Sequence, residues 1–503
     1  METQRYIQRT SGASLVLLEN DVIRVINLDT RQDWLVGRYD PNMPNTPDIL
    51  FISGIVSREH GWIRNVDNQW YFVDNPRNLN GTFHNGVKIP RPMTGIKQPV
   101  PLENGDILRV DNPNLQHGNA QGVLMLFTTV TVEGVWTTFP LNGRGVLIGR
   151  DPNCDIVEPM PYMSARHAQI TCLNGQYYLS DCGSSAGTFL NGHHVTGNML
   201  LREKDCISLC DCNYFFLGNK LLYAKRNRAK EMNRLLQTRP AERPPILKAD
   251  ILTKRVKDNN GNGMKELIRD IHLEIRQGTL VALLGTAGAG KSTVMNCLNG
   301  MDLEGVQGSV LYRNVDLMKY FDQMKFMIGS VPQDKTFHPD FTPEKEFRIA
   351  ARKRLPADTT SQEIEERVNR TLEILGITGV RKNKNSKLSG GEKTRVNIGI
   401  ELVADRDLLC LDEPDQGLDP KYKHEVFQIM RDLAHKNGKS VLSIIHDVSE
   451  IDMFFQVIML VKADGVGRLA FSGTPAQMRE KFGVEDIRDV YGILEKNPAK
   501  YVI

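Results

Sequence analysis

The chain has 503 residues, 24% of them charged, and a formal net charge of +3. That length holds about three ordinary domains, each able to bury its own core, and so small a net charge gives no basic field for nucleic acid. No apolar run approaches the ~18 residues that span a bilayer, and the opening Met1-Glu2-Thr3-Gln4-Arg5 is polar with no apolar stretch behind it, unlike a signal peptide. A soluble chain is expected.

In the front half one pattern occurs twice, in the same order. The first copy has Gly37-Arg38, then Ser57-Arg58-Glu59-His60, then Asn80-Gly81-Thr82-Phe83-His84-Asn85-Gly86. The second has Gly149-Arg150, then Ser164-Ala165-Arg166-His167, then Ala186-Gly187-Thr188-Phe189-Leu190-Asn191-Gly192. Short alternating runs such as Trp70-Tyr71-Phe72-Val73 and Gln176-Tyr177-Tyr178-Leu179 lie between turn residues, and Asn174-Gly175 is a hairpin signal. Each copy therefore reads as an all-β sandwich with its Arg, Ser and Asn residues in the loops at one end. Guanidinium forks, a hydroxyl and an amide suit a phosphate; the Asn-Gly pairs at Asn85 and Asn191 read as turns only.

This repeated pattern resembles the forkhead-associated (FHA) domain, over residues 12–130 and again 131–224. The resemblance implies a reader of phosphothreonine on a partner protein, the target of a Ser/Thr kinase. By it, Arg38 and Ser57 contact the phosphate, Arg58 supports it, Asn80 grips the peptide backbone, and His60 and His167 brace the loops. Leu79 stands where a polar residue is usual. In the second copy the corresponding set is Arg150, Ser164 and Arg166, with the second arginine displaced by one and Ala186 in place of the gripping Asn. That copy is expected to bind weakly or to act as a spacer. Six of the eight cysteines fall between Cys154 and Cys212. Without a CxxC pair, Cys206, Cys210 and Cys212 read as buried thiols on one strand face in a reducing compartment, not as a metal site.

Residues 225–247 turn basic and proline-bearing, from Lys225-Arg226-Asn227-Arg228-Ala229-Lys230 to Pro244-Pro245. They read as a solvated tether, with attraction to anionic lipid as the sharper alternative.

Behind them, residues 248–503 carry an α/β pattern. The apolar run Leu280-Val281-Ala282-Leu283-Leu284 feeds Gly285-Thr286-Ala287-Gly288-Ala289-Gly290-Lys291-Ser292, and Thr293 follows. A strand, a G-x-x-x-x-G-K-S loop and a helix opening at Lys291 form the phosphate cradle of a P-loop NTPase. Lys291 reaches the terminal phosphates, Ser292 can ligand Mg²⁺, and the helix N-terminus favours the anion. Leu408-Leu409-Cys410-Leu411-Asp412-Glu413 is an apolar strand ending in two carboxylates, Asp412 for the metal and Glu413 for the attacking water. Leu388-Ser389-Gly390-Gly391-Glu392 opens a helix, Gln333 follows the strand Ile328-Gly329-Ser330-Val331, and His446 ends the strand from Val441 to Ile445.

In this order the motifs resemble the ATP-binding-cassette (ABC) ATPases, from about Lys248 to near the C-terminus. The resemblance makes Gln333 the Q-loop glutamine and an Mg²⁺ neighbour, Asp419 the D-loop aspartate and His446 the switch histidine. Ser389, Gly390 and Gly391 would meet ATP held by an opposite subunit, so a homodimer through the cassette is implied. Val331-Pro332-Gln333-Asp334, His338-Pro339, Ala350-Ala351-Arg352, Arg395-Val396-Asn397-Ile398-Gly399 and Gly473-Thr474-Pro475 look like the G-type cassettes. Two features depart from the family. No aromatic lies between Tyr223 and Tyr312 to stack on adenine, which leaves GTP use open, and Asp415-Gln416 replace the usual Thr-Ser, with Asp415 expected to be solvated. G-type cassettes continue into a transmembrane domain, absent up to Ile503, so a separate permease subunit or a fragment is expected. The segment from Asp334 to Lys387 is expected to receive the permease, with Phe337, Phe341 and Phe347 as a candidate apolar socket.

Two functions compete at this point. One is the ATP-hydrolysing subunit of a membrane transporter, peripheral on the inner face of the cell membrane and regulated through phosphothreonine. The other is a soluble phospho-dependent signalling or assembly ATPase.

Overall fold

A computed structural model describes the chain except residues 1–12, 21, 42–45, 68, 79, 86, 91–98, 111–121, 130–133, 204, 258–262, 314 and 335. The opening residues 1–5, Leu79 and Gly86, singled out above, lie outside the described residues.

Period-2 alternation puts every second side chain of a strand on one face, and the front half follows it. Gly61–Val66 alternates buried and half-buried residues and pairs antiparallel with Gln69–Asp74, Ile63 opposite Phe72. This ribbon joins Asp33–Arg38, Ile49–Phe51 and Pro99–Pro101 in one sheet, while Ser14–Glu19 and Val123–Thr128 centre a six-stranded second sheet. Trp34, Phe51, Ile63, Phe72, Leu108 and Phe127 fill the space between them. The second repeat builds the same pair of sheets from Gly134–Pro140 to Lys220–Arg226. Its hairpin turns at Asn174 and Gly175, both left-handed at φ +51° and +77°, which suits the twist of the flanking strands.

The two sandwiches are not strung apart. Their six-stranded sheets meet along an apolar seam of Val16, Leu18, Leu124 and Leu126 against Phe215, Leu217 and Leu222. Asn85 and Asn191 serve their turns at φ +46° and +52° and also accept from the N–H of Ile107 and Cys206.

The cassette holds a ten-stranded sheet. Its parallel half runs Ile328–Val331, Leu408–Asp412, Ser440–Ile444, Leu280–Gly285, Gln456–Ala463. All six residues of Leu280–Gly285 are buried, as expected of a strand covered on both faces. The segment after Gln333 forms a lobe of two helices, Pro343–Arg354 and Ser361–Ile374.

The stretch read as a solvated tether is docked structure. Asn227 caps a helix over Arg228–Gln237, and its basic residues enter an ion network shared by the second sandwich and the cassette. Arg226 contacts Asp211 at 2.5 Å and holds Glu231 through Nε and Nη2 at 3.0 and 2.8 Å. Arg228 lies 3.7 Å from Asp211 and 3.9 Å from Asp407, which also accepts from Arg313 at 2.9 Å. The sequence shows a basic run; only folding brings Asp211, almost two hundred positions from Asp407, to the same cations. With these side chains committed, Arg226 and Arg228 do not form a lipid-facing patch.

The cysteines also differ from expectation. Cys206 and Cys212 lie on adjacent paired strands and Cys210 in the turn between them at φ +55°, rather than on one strand face. All eight are free thiols, and no metal-ligating group of three or more occurs among the described residues.

Candidate active site and phosphate-binding loops

The buried strand Leu280–Gly285 ends where the chain must reverse into a helix. The Thr286 N–H donates to the Leu460 carbonyl at 3.2 Å and the Ala289 N–H to the Thr286 carbonyl at 3.1 Å, closing the loop. Gly290 sits at φ +83°, and a Cβ there would lie 2.8 Å from Ile268 Cγ2; glycine alone meets both demands. The helix Lys291–Leu298 follows. Lys291 Nζ donates to the Gly285 carbonyl at 3.2 Å across the loop mouth.

Four other elements converge there. Ser292 Oγ lies 3.5 Å from Asp412 Oδ2 at the end of Leu408–Asp412. The next residue, Glu413, is held at φ +47°, a costly conformation for a non-glycine residue that aims its carboxylate into the site. Its Oε1 pairs with His446 Nε2 at 2.6 Å, and its Oε2 accepts from Gln333 Nε2 at 3.0 Å and Gln416 Nε2 at 3.2 Å. Burial lowers the Lys291 pKa against the opposing pull of Glu413 and Asp412. Burial, then the Glu413 charge, raises that of Asp412. Both groups are thus poorly compensated as they stand, a state that an anionic phosphate beside Lys291 and a cation beside Asp412 would relieve.

Gln416 is the residue that sequence reasoning left out of the site. It binds Glu413 and also accepts from Gln333 at 2.9 Å; its spacing of three from Glu413 was the available signal. Asp415, expected in solvent, is 3% exposed, with Oδ1 buried and without a hydrogen-bond partner. The turn needed to present Glu413 carries Asp415 inward, and burial raises its pKa.

Ser389 caps the helix Gly390–Leu402 in a reciprocal box with Glu392. Its Oγ accepts from the Glu392 N–H, so its own hydrogen can be given to another oxygen. Asp419 starts the helix Pro420–His435 without a side-chain capping bond and is exposed. Among the described residues, no hydrogen bond joins Ser389, Gly390, Gly391 or Asp419 to the P-loop. In the lobe Phe347 is fully buried, Phe337 packs on the cassette core, and Phe341 stacks on His338 at 4.6 Å with Lys345 Nζ 3.5 Å from its ring. The three do not form one exposed socket.

In the first sandwich Arg38 opens the loop end, its N–H donating to the Ser57 carbonyl at 3.0 Å and its Nε buried without a hydrogen-bond partner. Arg58 pairs with Asp40 at 2.6 Å, and Asn80 Nδ2 reaches the Ile55 carbonyl at 2.7 Å. His60 is fully buried between the Ser57 N–H and Thr82 Oγ1, each at 3.1 Å. In the second sandwich His167 likewise joins the Ser164 N–H and the Gly187 carbonyl. Arg150 repeats the Arg38 backbone bond, to Ser164, and its Nε reaches the Met163 carbonyl at 3.1 Å. Arg166 is exposed and Ala186 buried.

Residues 34–111 and 146–210 match the FHA domain family, and residues 268–416 match the ABC transporter family. The ABC transporter ATP-binding/permease protein Rv1747 of Mycobacterium tuberculosis is 32% identical over 354 residues, covering 70% of this chain and 38% of its own length. ABC transporter G family member 19 of Arabidopsis thaliana is 32% identical over 235 residues, covering 45% of this chain and 32% of that protein. The chain thus spans about a third of the length of these curated relatives. Among solved structures, the dimeric bacterial cassette MJ0796 is 24% identical, covering 45% of this chain and 98% of that one, at a TM-score of 0.40.

Proposed function

We propose that this chain, an ATP-hydrolysing member of the ABC ATPases carrying two FHA domains, drives a membrane permease and is regulated by phosphothreonine recognition. The observation that carries the catalytic part is Glu413, a carboxylate held at the P-loop mouth by Gln333, Gln416 and His446. A water on the far side of the terminal phosphate from the leaving group would give its proton to Glu413, while His446 holds the carboxylate in place. Lys291 would neutralise the terminal phosphates, and the amides of residues 285–293 would cradle them.

Ser292, Asp412 and Gln333 offer a hydroxyl, a carboxylate and an amide oxygen, the hard donors that suit Mg²⁺. A cation beside Asp412 would offset the burial and the Glu413 charge that raise its carboxyl. When bound, the ion would spread charge from the phosphates as the bond breaks. Ser389, Gly390, Gly391 and Asp419 would act on ATP in a second copy of the chain, completing two sites across a head-to-tail dimer.

The test uses two variants. Lys291→Ala should abolish nucleotide binding. Glu413→Gln should keep binding, stop hydrolysis and trap an ATP-bound dimer detectable by size-exclusion chromatography. Hydrolysis by the Gln variant at the parent rate would remove Glu413 from its role. No helix among the described residues is long and apolar enough to cross a membrane, and the proposed place of work is the inner membrane face beside the permease. The first sandwich is the proposed phosphothreonine reader, through Arg38, Ser57, Arg58 and Asn80, because the buried Arg38 Nε has a donor to give.

A further inference from the structure

The loop end of the second sandwich is already covered by this chain's own helical lobe. Arg150, only 17% exposed, pairs with Glu363 and lies 3.5 Å from Asp358 Oδ1. The other oxygen of Asp358 accepts from the Ala165 N–H at 2.6 Å. The Ala357 N–H donates to Ser185 Oγ at 3.0 Å, and the Ser185 N–H in turn donates to Ser164 Oγ at 3.2 Å. One carboxylate thus accepts from a loop amide and sets its charge against a guanidinium nitrogen that has no hydrogen-bond partner, the groups that a phosphate would take. A second carboxylate seals the guanidinium from the other side. Glu363 is itself fixed, accepting from the Thr360 N–H at 2.8 Å and its Oγ1 at 2.9 Å at the start of Ser361–Ile374.

We infer that the anion site of the second sandwich is a clasp whose occupant is the acidic turn of this chain's helical lobe, residues 357–363, with Asp358 and Glu363 standing where a phosphate would. This rests on reading Arg150 and Ser164 as an anion site. The same sandwich is anchored to the catalytic core through Arg228, which lies against both Asp211 and Asp407, and Gly192 packs on Tyr320. It therefore straddles the core and the lobe as a strut, and rotation of the lobe against the core must break the clasp. The departures in its sequence fit this role. Ala186, 5% exposed, offers no amide to grip a peptide, and among the described residues Arg166 forms no ion pair with the lobe.

Hydrogen exchange on the full chain tests it. Arg150→Ala should speed exchange of residues 355–363 by about tenfold or more, the worth of a charge-assisted bond, with the strands of both sandwiches unchanged. Glu363→Arg alone should do the same, and Arg150→Glu combined with Glu363→Arg should restore protection. Unchanged exchange of 355–363 in Arg150→Ala overturns the clasp. Millimolar O-phosphothreonine should open the same segment in the parent protein and, to the same degree, in Arg38→Ala, whose second sandwich is intact. A segment opened by Arg150→Ala but indifferent to phosphothreonine would overturn the phosphate-mimic part and, with it, the anion-site reading.

Discussion

Glu158 is a carboxyl 3% exposed in the second sandwich, and burial pushes its pKa up to about 7, against the opposing hydrogen bond from Tyr214 at 3.0 Å and the charge of Arg226. The ordinary value is 4.5, so the folded protein binds this proton more tightly than the unfolded chain does. Stability from the group is therefore complete below pH ~4.5 and is lost as pH rises through ~7. The gap between 4.5 and about 7, at 1.36 kcal/mol per factor of ten in proton affinity, is worth about 3 kcal/mol. Glu158→Gln removes the titration and leaves an oxygen to accept the Tyr214 hydroxyl. Urea denaturation followed by circular dichroism should show the variant more stable by up to ~3 kcal/mol near pH 8, with parent and variant converging near pH 4.5. A variant destabilised equally at both pH values would mean that Glu158 contributes alike whether or not it is protonated and that the burial argument is wrong.

Arg38→Ala in the full chain should weaken a phosphothreonine peptide by ~1.5–3 kcal/mol in a titration, and an unchanged affinity would remove Arg38 from the site. Asp407→Asn leaves Arg228, Arg313 and Lys439 around a neutral group; breaking such a buried network costs ~3–5 kcal/mol, seen as a lower denaturation midpoint. Because those cations hold its pKa well below the carboxylate range, the parent loses that stability only in strong acid. Gly290→Ala forces a side chain into a left-handed position against Ile268 and should cut nucleotide binding measured by calorimetry. Phe341→Glu disrupts the half-buried stack on His338, and should lower membrane recovery when a permease is co-expressed while leaving ATP hydrolysis measurable.

Local chemistry was legible wherever a function is written in neighbouring residues. A strand, a glycine loop and Lys291-Ser292 must be contiguous, because backbone amides and one helix start build the cradle together. The same holds for the carboxylate pair ending an apolar strand, for the turns at Asn174 and Asn191, and for two sandwiches read from a repeated spacing. What lay beyond the sequence was everything set by charges meeting across hundreds of residues. Arg226 and Arg228 looked like a solvated run until Asp211 and Asp407 folded against them. Asp415 looked exposed until the strained turn at Glu413 carried it inward. Arg150 had the makings of a reader, yet Asp358 and Glu363 reach it from another domain. Periodicity and motif spacing record what each segment buries; which distant carboxylate neutralises which cation is decided only when the domains pack, because leaving a desolvated charge unpaired is costly.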